Sequence, residues 1–496
     1  MRAAGLALLL AAASGCAAHD APRAEPARPD AAVRRLQADL TRVFGAPLTA
    51  SAAWGVEVRS LDRGETLFAW RREALMMPAS NMKVVTLAVA AETLGWEHRF
   101  TTSLHAAGEV AGGVLTGDLV VRGDGDPSFN RREGRAARVL DEWAEGLKAA
   151  GVTRVTGRLI ADDRAFEDEW LGAGWAWDYL QYGYAAPSGA LQYNDSTAEL
   201  AVAPGRATGD PALARLTEGS GLTILNRAAT GEPGSAFTME YRRHVHQPVL
   251  EITGSIPAGS VAVTRTVAVV NPTLFFATAL KTGLAARGVS IDGEAADVGD
   301  LAPELRPAGP LRPLVTTRSP TLRELAAVLM KASQNQYAEM LLKAAGAAGG
   351  GPGSSAAGRE AARRVLLGWG IPDGAYMIAD GSGLSRYNYL SASMLAAVLE
   401  RMYRDERHRD AFLEALPVAG REGTLAGRLK RTRAEGNASA KTGSISNVRA
   451  LSGYLKTRDG ETVVFSILVN HFLIPAATAN WITDLAVEIL ANFTRR

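Results

Sequence analysis

A serine and a lysine three residues apart, Ser80 and Lys83, open the apolar run 84–94. On a helix, residues at this spacing lie on the same face, one turn apart. Burial lowers the pKa of a lysine because desolvation disfavours the charged amine, and a neutral amine can accept the proton of a nearby hydroxyl. The pair therefore predicts a serine nucleophile with a lysine base. Taken alone, the stretch also fits an N-cap serine followed by a surface lysine.

Two further short motifs follow later in the chain. Residues 333–335 read Ser-Gln-Asn and lie between two predicted helices, and residues 441–444 read Lys-Thr-Gly-Ser and precede a predicted strand pair. Each motif is weak alone. The ordered triple of Ser-x-x-Lys, Ser-x-Asn and Lys-Thr-Gly resembles the penicillin-recognising serine acyltransferases, the class that includes penicillin-binding proteins and serine β-lactamases.

The long separation of the first two motifs narrows this resemblance. Residues 84–332 lie between them, whereas a β-lactamase carries both motifs in one compact unit. An insertion of this kind is similar to that of the D-alanyl-D-alanine carboxypeptidase/endopeptidase family, the class C low-molecular-mass penicillin-binding proteins. The resemblance extends along nearly the whole mature chain. Gln334 stands where the family often has aspartate, which leaves the flanking residues of that motif intact.

The resemblance implies a catalytic role for five residues. Ser80 would form an acyl-enzyme with Lys83 as its base, and the hydroxyl of Ser333 would pass a proton to the leaving amine. The amide of Asn335 would bind the substrate amide. The charge of Lys441 would lower the pKa of Lys83 and favour an anionic substrate. The backbone N–H of Ser80 and one from the strand of the third motif would form an oxyanion hole.

Five other residues are predicted to bind the substrate. The hydroxyls of Thr442 and Ser444 suit a terminal carboxylate, and Gly443 lets the substrate backbone lie against the strand edge. By resemblance, Asp178 and Arg386 match the family residues that bind the zwitterionic end of a peptidoglycan stem side chain. There a carboxylate and a guanidinium would pair with the amine and the carboxylate of diaminopimelate.

The amino-terminal stretch predicts export to the periplasm or cell envelope. A positive start precedes an apolar run that is too short to span a bilayer, so residues 1–15 are predicted to be a signal peptide. Cys16, the only cysteine, follows in a sequence that resembles the bacterial lipobox, with alanine in place of the usual leucine. Cys16 is therefore a predicted lipidation site, with secretory cleavage near Ala18 as the alternative. Residues 16–30 are predicted to be a flexible tether.

Composition argues against several kinds of partner. The 54 basic and 52 acidic residues form no block of like charge, so neither nucleic acid nor an acidic membrane is a predicted partner. Contact with a membrane is expected only through the lipid anchor. His244 and His246 lack a third ligand nearby, and no metal or organic cofactor is predicted. The tryptophans Trp170, Trp175 and Trp177 are predicted to pack rather than to form a sugar platform.

Hydrophobic patterns predict the elements that must position these residues. A Thr-x-x-Glu capping box at 321–324 predicts a helix before the second motif. An Asp-Gly turn between the apolar stretches 448–456 and 462–470 predicts a hairpin after the third motif. Gly95 ends the predicted helix of the first motif.

The predicted fold class is α/β, of the α+β kind. Residues 31–103 and 290–496 are expected to form a transpeptidase-like domain in which helices cover an antiparallel sheet. Residues 104–289 are expected to form a large inserted domain that carries a smaller subdomain near 205–250. The chain of 496 residues is long enough for this number of domains.

The sequence thus predicts a serine-type D-Ala-D-Ala carboxypeptidase that acts on peptidoglycan stem peptides, with endopeptidase action on cross-links as a second activity. β-Lactam antibiotics are predicted to acylate Ser80 and to leave slowly. Two alternatives stay open. One is a serine β-lactamase of the same superfamily, against which the long insertion argues. The other is an envelope lipoprotein that binds peptidoglycan without turnover, against which the complete set of motif residues argues.

Overall fold

A computed structural model describes residues 30–307 and 309–496. The predicted signal peptide, Cys16 and nearly all of the predicted tether lie outside the described residues. Among the described helices, none combines the length and the apolar character needed to cross a membrane.

The α-helices of the described residues carry Lys83 and Asn335, the final residues of the first two motifs. They are α1 (Ala31–Phe44), α2 (Met82–Leu94), α3 (Arg135–Ala149), α4 (Pro272–Ala285), α5 (Leu322–Lys331), α6 (Asn335–Ala347), α7 (Ser355–Gly368), α8 (Ala392–Arg404), α9 (Arg409–Ala415) and α10 (Ala476–Asn492). Helix α2 is buried from Met82 to Ala91, because it packs on every side against other elements. The capping box predicted for α5 is confirmed, since Thr321 and Glu324 each accept a hydrogen bond from the other's backbone N–H.

Strands make up the rest of the regular structure. They are β1 (Ala53–Ser60), β2 (Glu65–Trp70), β3 (Thr101–Ala111), β4 (Val114–Gly123), β5 (Arg154–Val155), β6 (Leu159–Asp162), β7 (Thr197–Ala203), β8 (Leu213–Leu216), β9 (Thr223–Asn226), β10 (Ala229–Gly231), β11 (Glu240–Arg243), β12 (Val249–Thr253), β13 (Ser255–Pro257), β14 (Val263–Ala268), β15 (Ser290–Ile291), β16 (Ala295–Asp297), β17 (Arg312–Arg318), β18 (Tyr376–Met377), β19 (Tyr389–Leu390), β20 (Ser439–Ile445), β21 (Val448–Lys456) and β22 (Thr462–Asn470).

The central sheet has the order β2-β1-β22-β21-β20 and is antiparallel throughout. All nine residues of β22 are buried, because both faces of the sheet are covered by helices. Alternate side chains of β22 enter two cores: Val464 packs with α2 and α8, and Phe465 packs with α1 and α10. The predicted fold class, helices on an antiparallel sheet, is confirmed. The third motif lies on β20, at the edge of this sheet.

A second sheet follows α2 in the chain. Its order is β15-β5-β4-β3-β17, with β6 joined to β4 and β16 to β6, and α3 and α4 pack against it. Strand β17 pairs with β3, so residues 312–318 belong to this sheet although the expected boundary lay at 289. A separate small core joins strands of residues 197–268, a wider span than the subdomain expected near 205–250.

Helix α6 connects the central sheet and its helices to segment 169–196 through its buried polar side chains. Gln336 donates to the carbonyl of Pro187 (3.0 Å) and to Ser196 Oγ (2.5 Å). Lys343 donates to the carbonyls of Glu169 (2.5 Å) and Ser188 (2.9 Å). Because α6 also begins with the asparagine of the second motif, segment 169–196 is held beside that motif.

Candidate active site

Ser80 lies in a single 3-10 turn, 79–81, that leads directly into α2. Ala79 has a φ of 45°, a left-handed backbone that is costly for a residue with a side chain. The carbonyl oxygen of Ala79 lies only 1.8 Å from where a Cβ would stand on Gly383, which itself has a φ of 85°. The segment with Gly383 therefore packs directly on the turn that presents Ser80, and no other residue type fits there.

Lys83 is completely buried one turn after Ser80. Its Nζ donates to three oxygens: Ser80 Oγ at 2.9 Å, Asn335 Oδ1 at 2.6 Å and the carbonyl of Ser382 at 2.8 Å. The first and second motifs are thus joined by one amine. The arrangement can pass a proton between the Ser80 hydroxyl and the lysine amine.

The pKa of Lys83 is lowered to about 7, and burial is the largest cause. The carboxylates of Asp380 and Glu339 oppose this shift. Glu339 on α6 is itself fully enclosed and accepts the backbone N–H groups of Gly381 (3.0 Å) and Ser382 (2.8 Å). This carboxylate therefore fixes the chain segment whose Ser382 carbonyl accepts from Lys83.

Lys441 on β20 is also completely buried. Its Nζ donates to Ser333 Oγ (2.8 Å) and to the carbonyl of Thr442 (2.9 Å), which joins the third motif to the second. Burial, and then the charge of Lys83, hold the pKa of Lys441 well below its usual value. The sequence predicted that this repulsion would lower the pKa of Lys83. The repulsion between the two amines contributes to the lowered pKa of Lys441, and burial is the largest cause of the lowered pKa of Lys83.

A cavity of about 440 Å³ opens above these groups. Ser80, Ser333, Asn335 and Ser444 line it, so all three motifs reach the same space. Ser333 has a φ of 57°, and such strained backbone is typical of functional sites.

The predicted substrate-binding residues of β20 have different environments. Ser444 is exposed in the cavity, whereas the hydroxyl of Thr442 donates to Thr424 Oγ1 at 2.7 Å. A Cβ on Gly443 would lie 2.7 Å from the carbonyl oxygen of Pro78. Glycine is therefore required at this position because β20 packs on the turn before Ser80. The sequence analysis expected it for a different reason, namely to let the substrate backbone lie against the strand edge.

Asp178 and Arg386 each adjoin residues that line the cavity. The Nη2 of Arg386 donates to the hydroxyl of Tyr179 (3.3 Å) and to the carbonyl of Ser446 (3.2 Å), two residues that line the cavity. Asp178 is exposed and precedes Tyr179 in a 3-10 turn. The binding of diaminopimelate by these two side chains stays a prediction.

Two tyrosines and an arginine are among the cavity-lining residues that sequence reasoning missed. Tyr179, whose hydroxyl is hydrogen-bonded to Ser446 Oγ at 2.9 Å, and Tyr184 form one wall, and Arg449 on β21 also lines the cavity. Residues 175–184 carry five aromatic side chains, a density that could have marked the wall in advance. Arg449 gave no signal, since it stands in an ordinary strand pattern.

One group of side chains in the described residues has the composition of a metal site: Glu92, Asp405 and His408. Trp96 Nε1 can only donate, and it lies 3.1 Å from His408 Nδ1. The neutral ring therefore carries its proton on Nε2, which donates to Glu92 at 2.9 Å. The group is satisfied as a hydrogen-bonded contact between α2 and the start of α9.

Comparisons with known proteins give matches along nearly the whole chain. A model of the D-Ala-D-Ala carboxypeptidase 3 (S13) family matches residues 36–492. A D-alanyl-D-alanine carboxypeptidase of an Actinomadura species is 34% identical over 95% of this chain and 87% of its own length. The carboxypeptidase DacB of Haemophilus influenzae is 27% identical over 84% and 85%. The crystal structure of penicillin binding protein 4 from H. influenzae superposes with a TM-score of 0.79 at 25% identity, over 92% of this chain and 99% of that one.

Proposed function

The chain belongs to the D-Ala-D-Ala carboxypeptidase 3 (S13) family, and from this premise we propose which of its residues carry out the reaction. The protein is a serine-type D-alanyl-D-alanine carboxypeptidase that acts on peptidoglycan stem peptides through an acyl-enzyme. The nucleophile is Ser80 and its base is Lys83. The observation that carries this assignment is the 2.9 Å hydrogen bond between Ser80 Oγ and the buried amine of Lys83.

In the first step, neutral Lys83 takes the proton of Ser80, and Oγ attacks the carbonyl carbon of the penultimate D-alanine. The backbone N–H of Ser80 and one from β20 stabilise the negative oxygen of the tetrahedral intermediate. Because the pKa of Lys83 is about 7, a large fraction of the amine is neutral near neutral pH.

In the second step, the C–N bond breaks and the leaving amine needs a proton. Ser333 Oγ delivers its proton and is re-protonated with the proton that Lys83 took from Ser80, while Lys441, whose Nζ lies 2.8 Å away, holds the hydroxyl in position. Lys83 is then neutral again. Water then attacks the ester on Ser80, with Lys83 again as the base, and the shortened peptide leaves. Asn335 orients both Lys83 and the substrate amide. Ser444, which is exposed in the cavity, binds the terminal carboxylate, and Thr442 joins it when its hydroxyl turns from Thr424 to the substrate.

The finer features of the prediction belong to the same proposal. β-Lactams acylate Ser80 because their ring amide occupies the position of the scissile bond. Endopeptidase action on cross-links uses the same acyl-enzyme. The enzyme works in the periplasm or cell envelope, where its substrate lies, and Cys16 anchors it. The catalytic domain comprises the central sheet and its helices, and the inserted domain includes residues 312–318.

The experiment that tests this function combines two readings on the purified protein. A fluorescent penicillin is followed over hours by denaturing gel and intact mass, and D-alanine release is measured from a peptide that ends in D-Ala-D-Ala. A lasting one-to-one adduct on Ser80 together with D-alanine release supports the proposal. Rapid loss of the adduct while penicillin is consumed would identify a β-lactamase. No adduct and no release would leave only peptidoglycan binding.

A further inference from the structure

A second cavity lies outside the catalytic machinery, on the inserted domain. It measures about 460 Å³ and is lined by Trp177 and by residues 242–247, at the end of β11 and in the turn that follows. The side chain of Trp177 is 64% exposed, so it does not pack as the sequence analysis expected. An aromatic surface this exposed is typical of a binding site, because a ligand that covers it removes apolar area from water, which is favourable.

Arg243 supplies the charge of this outer cavity. Its side chain is half-buried, yet across residues 30–307 and 309–496 no hydrogen bond or ion pair engages its guanidinium. The nearby acid of the neighbouring strand, Glu251, is already occupied by Arg242 (2.7 Å), Arg227 (3.2 Å) and His244 (3.3 Å). Burial lowers the pKa of Arg243, so the unpaired cation is held there at a cost. An anionic ligand would remove that cost.

A row of tyrosines connects the outer cavity to the catalytic one. Tyr179 and Tyr184 line the catalytic cavity with ring centres 5.6 Å apart. Tyr184 stacks on Tyr182 at 5.3 Å, and Tyr182 contacts Tyr241 at 5.8 Å. Tyr241 lies on β11, two residues before Arg243. The aromatic surface is therefore continuous from the wall of the catalytic cavity to the strand that carries Arg243.

The length of this row decides which part of a substrate reaches the outer cavity. An extended peptide advances about 3.3–3.6 Å per residue, and the three ring-to-ring steps place Tyr241 at most about 17 Å from Tyr179, a length that roughly five residues span. A stem peptide that leaves Ser80 along the tyrosines therefore brings its amino-terminal half to Tyr241. In that half the anionic group is the α-carboxylate of the γ-linked D-glutamyl residue.

We propose that the outer cavity is a second substrate site that binds the amino-terminal half of the stem peptide. Arg243 pairs with the D-glutamyl α-carboxylate, and Trp177 packs on the adjoining backbone. This inference rests on the proposed function, because the peptide must be held at Ser80 at its other end. It gives the inserted domain a part in substrate selection, since an amidated stem peptide offers no carboxylate to Arg243.

The test compares two synthetic pentapeptides that differ only in the D-glutamyl α-carboxylate, free in one and amidated in the other. We expect the wild-type enzyme to favour the free acid about tenfold in kcat/KM, the size expected for one charge-assisted hydrogen bond. Arg243→Gln should reduce this ratio to about one, and Arg243→Lys should restore part of it. Trp177→Ala should lower kcat/KM on both pentapeptides and leave their ratio intact.

Two references separate this inference from the proposed function. A short acylated tripeptide that ends in D-Ala-D-Ala does not reach the outer cavity, so every variant should cleave it at the wild-type rate. Arg215→Gln removes an exposed arginine of β8, which does not line the cavity, and should keep the tenfold ratio. No discrimination by the wild type, or discrimination that persists in Arg243→Gln, would overturn the inference while tripeptide cleavage upholds the carboxypeptidase. No cleavage of the tripeptide by the wild type would contradict the proposed function, and the inference with it.

Discussion

Two regions that contact helix α6 each bury a lysine, and only one of them is assigned chemistry. At the start of α6, Lys83 donates to Asn335 Oδ1. Two turns further along, Lys343 of α6 itself is 1% exposed and donates to two backbone carbonyls of segment 169–188. Burial lowers the pKa of both amines.

The difference lies in what each amine contacts. Lys83 reaches a hydroxyl that lines a cavity, whereas Lys343 contacts only carbonyl oxygens and lies 6.0 Å from the ring centre of Phe166. A carbonyl has no proton to give, so Lys343 can anchor the inserted domain but cannot activate a nucleophile. A lowered lysine pKa therefore indicates a base only where a nucleophile and access for substrate accompany it.

Removal of the nucleophile should give the largest effect. Ser80→Ala takes away the one hydroxyl that distinguishes the Lys83 region, and we expect the rate of acylation by fluorescent penicillin to fall on the order of 10⁵-fold or below detection. Ser333→Ala keeps the nucleophile and should label slowly but completely. Melting temperatures of both variants should stay close to that of the wild type. Persistent labelling of Ser80→Ala would place the nucleophile elsewhere.

Methionine at the two lysine positions tests the comparison directly. Lys83→Met should slow acylation about 10³-fold, since a general base contributes roughly 10²–10⁴-fold. Lys343→Met should leave the acylation rate within about threefold of the wild type. It should instead lower the free energy of unfolding by about 1–3 kcal/mol, because two buried carbonyls lose their donor.

Acylation rates and urea unfolding curves of Lys83→Met and Lys343→Met, measured side by side, test whether the two lysines differ in this way. If Lys343→Met slowed acylation as much as Lys83→Met while staying folded, the two regions would not differ in the way that their contacts indicate.

The pH dependence of acylation should follow the Lys83 region alone. The base works as the neutral amine, and its pKa is about 7. The acylation rate of the wild type should therefore rise about tenfold per pH unit from pH 5 to 7 and level off above pH 7. Lys343→Met should show the same profile, measured with penicillin in stopped-flow or quenched mixtures. A profile that moves with Lys343→Met would indicate coupling between the two amines.

The contrast between the two lysines also shows which features could be predicted from the sequence and which could not. The three motifs were recognisable because each is short and its residue types stand at fixed spacing, and the comparisons confirm the predicted family and activity. Glu339 and Lys343 stand four apart on α6, the spacing of an ordinary surface ion pair on a helix. Only the packing of segment 169–196 and of residues 380–383 around α6 buries them.

The boundary of the inserted domain stays a prediction, and it rests on local signals alone. The predicted boundary lies just after Gly288, which follows α4 and is of a residue type that commonly ends helices. Strand β17, however, is defined by its pairing with β3, which lies about two hundred residues earlier in the chain. No local sequence pattern indicates such a distant partner. Trp177 was assigned to packing since tryptophans usually are buried, and its exposure follows from the turn that carries it.

The smallest predicted effect is one in which the two lysines should behave alike. A lysine whose pKa is lowered by folding binds fewer protons in the native than in the unfolded state between its folded pKa and about 10.4. Stability must therefore rise with pH across that window, which for Lys83 begins near pH 7, while the full destabilisation is present below it. Each amine contributes a slope of at most about 1.4 kcal/mol per pH unit.

We expect Lys83→Met to reduce the rise of the urea midpoint between pH 7.5 and 9.5, and Lys343→Met to reduce it in the part of the alkaline range above the lowered pKa of Lys343. Asp39→Asn, which alters an exposed residue of α1, should leave the rise unchanged. A loss of slope in both methionine variants, beside their unequal acylation rates, would show that burial sets the linkage of both amines. Contact with Ser80 would then be what makes one of them a base. A slope lost in only one variant would mean that the other amine has the same charge in the folded and the unfolded state. Burial would then not affect the two amines in the same way.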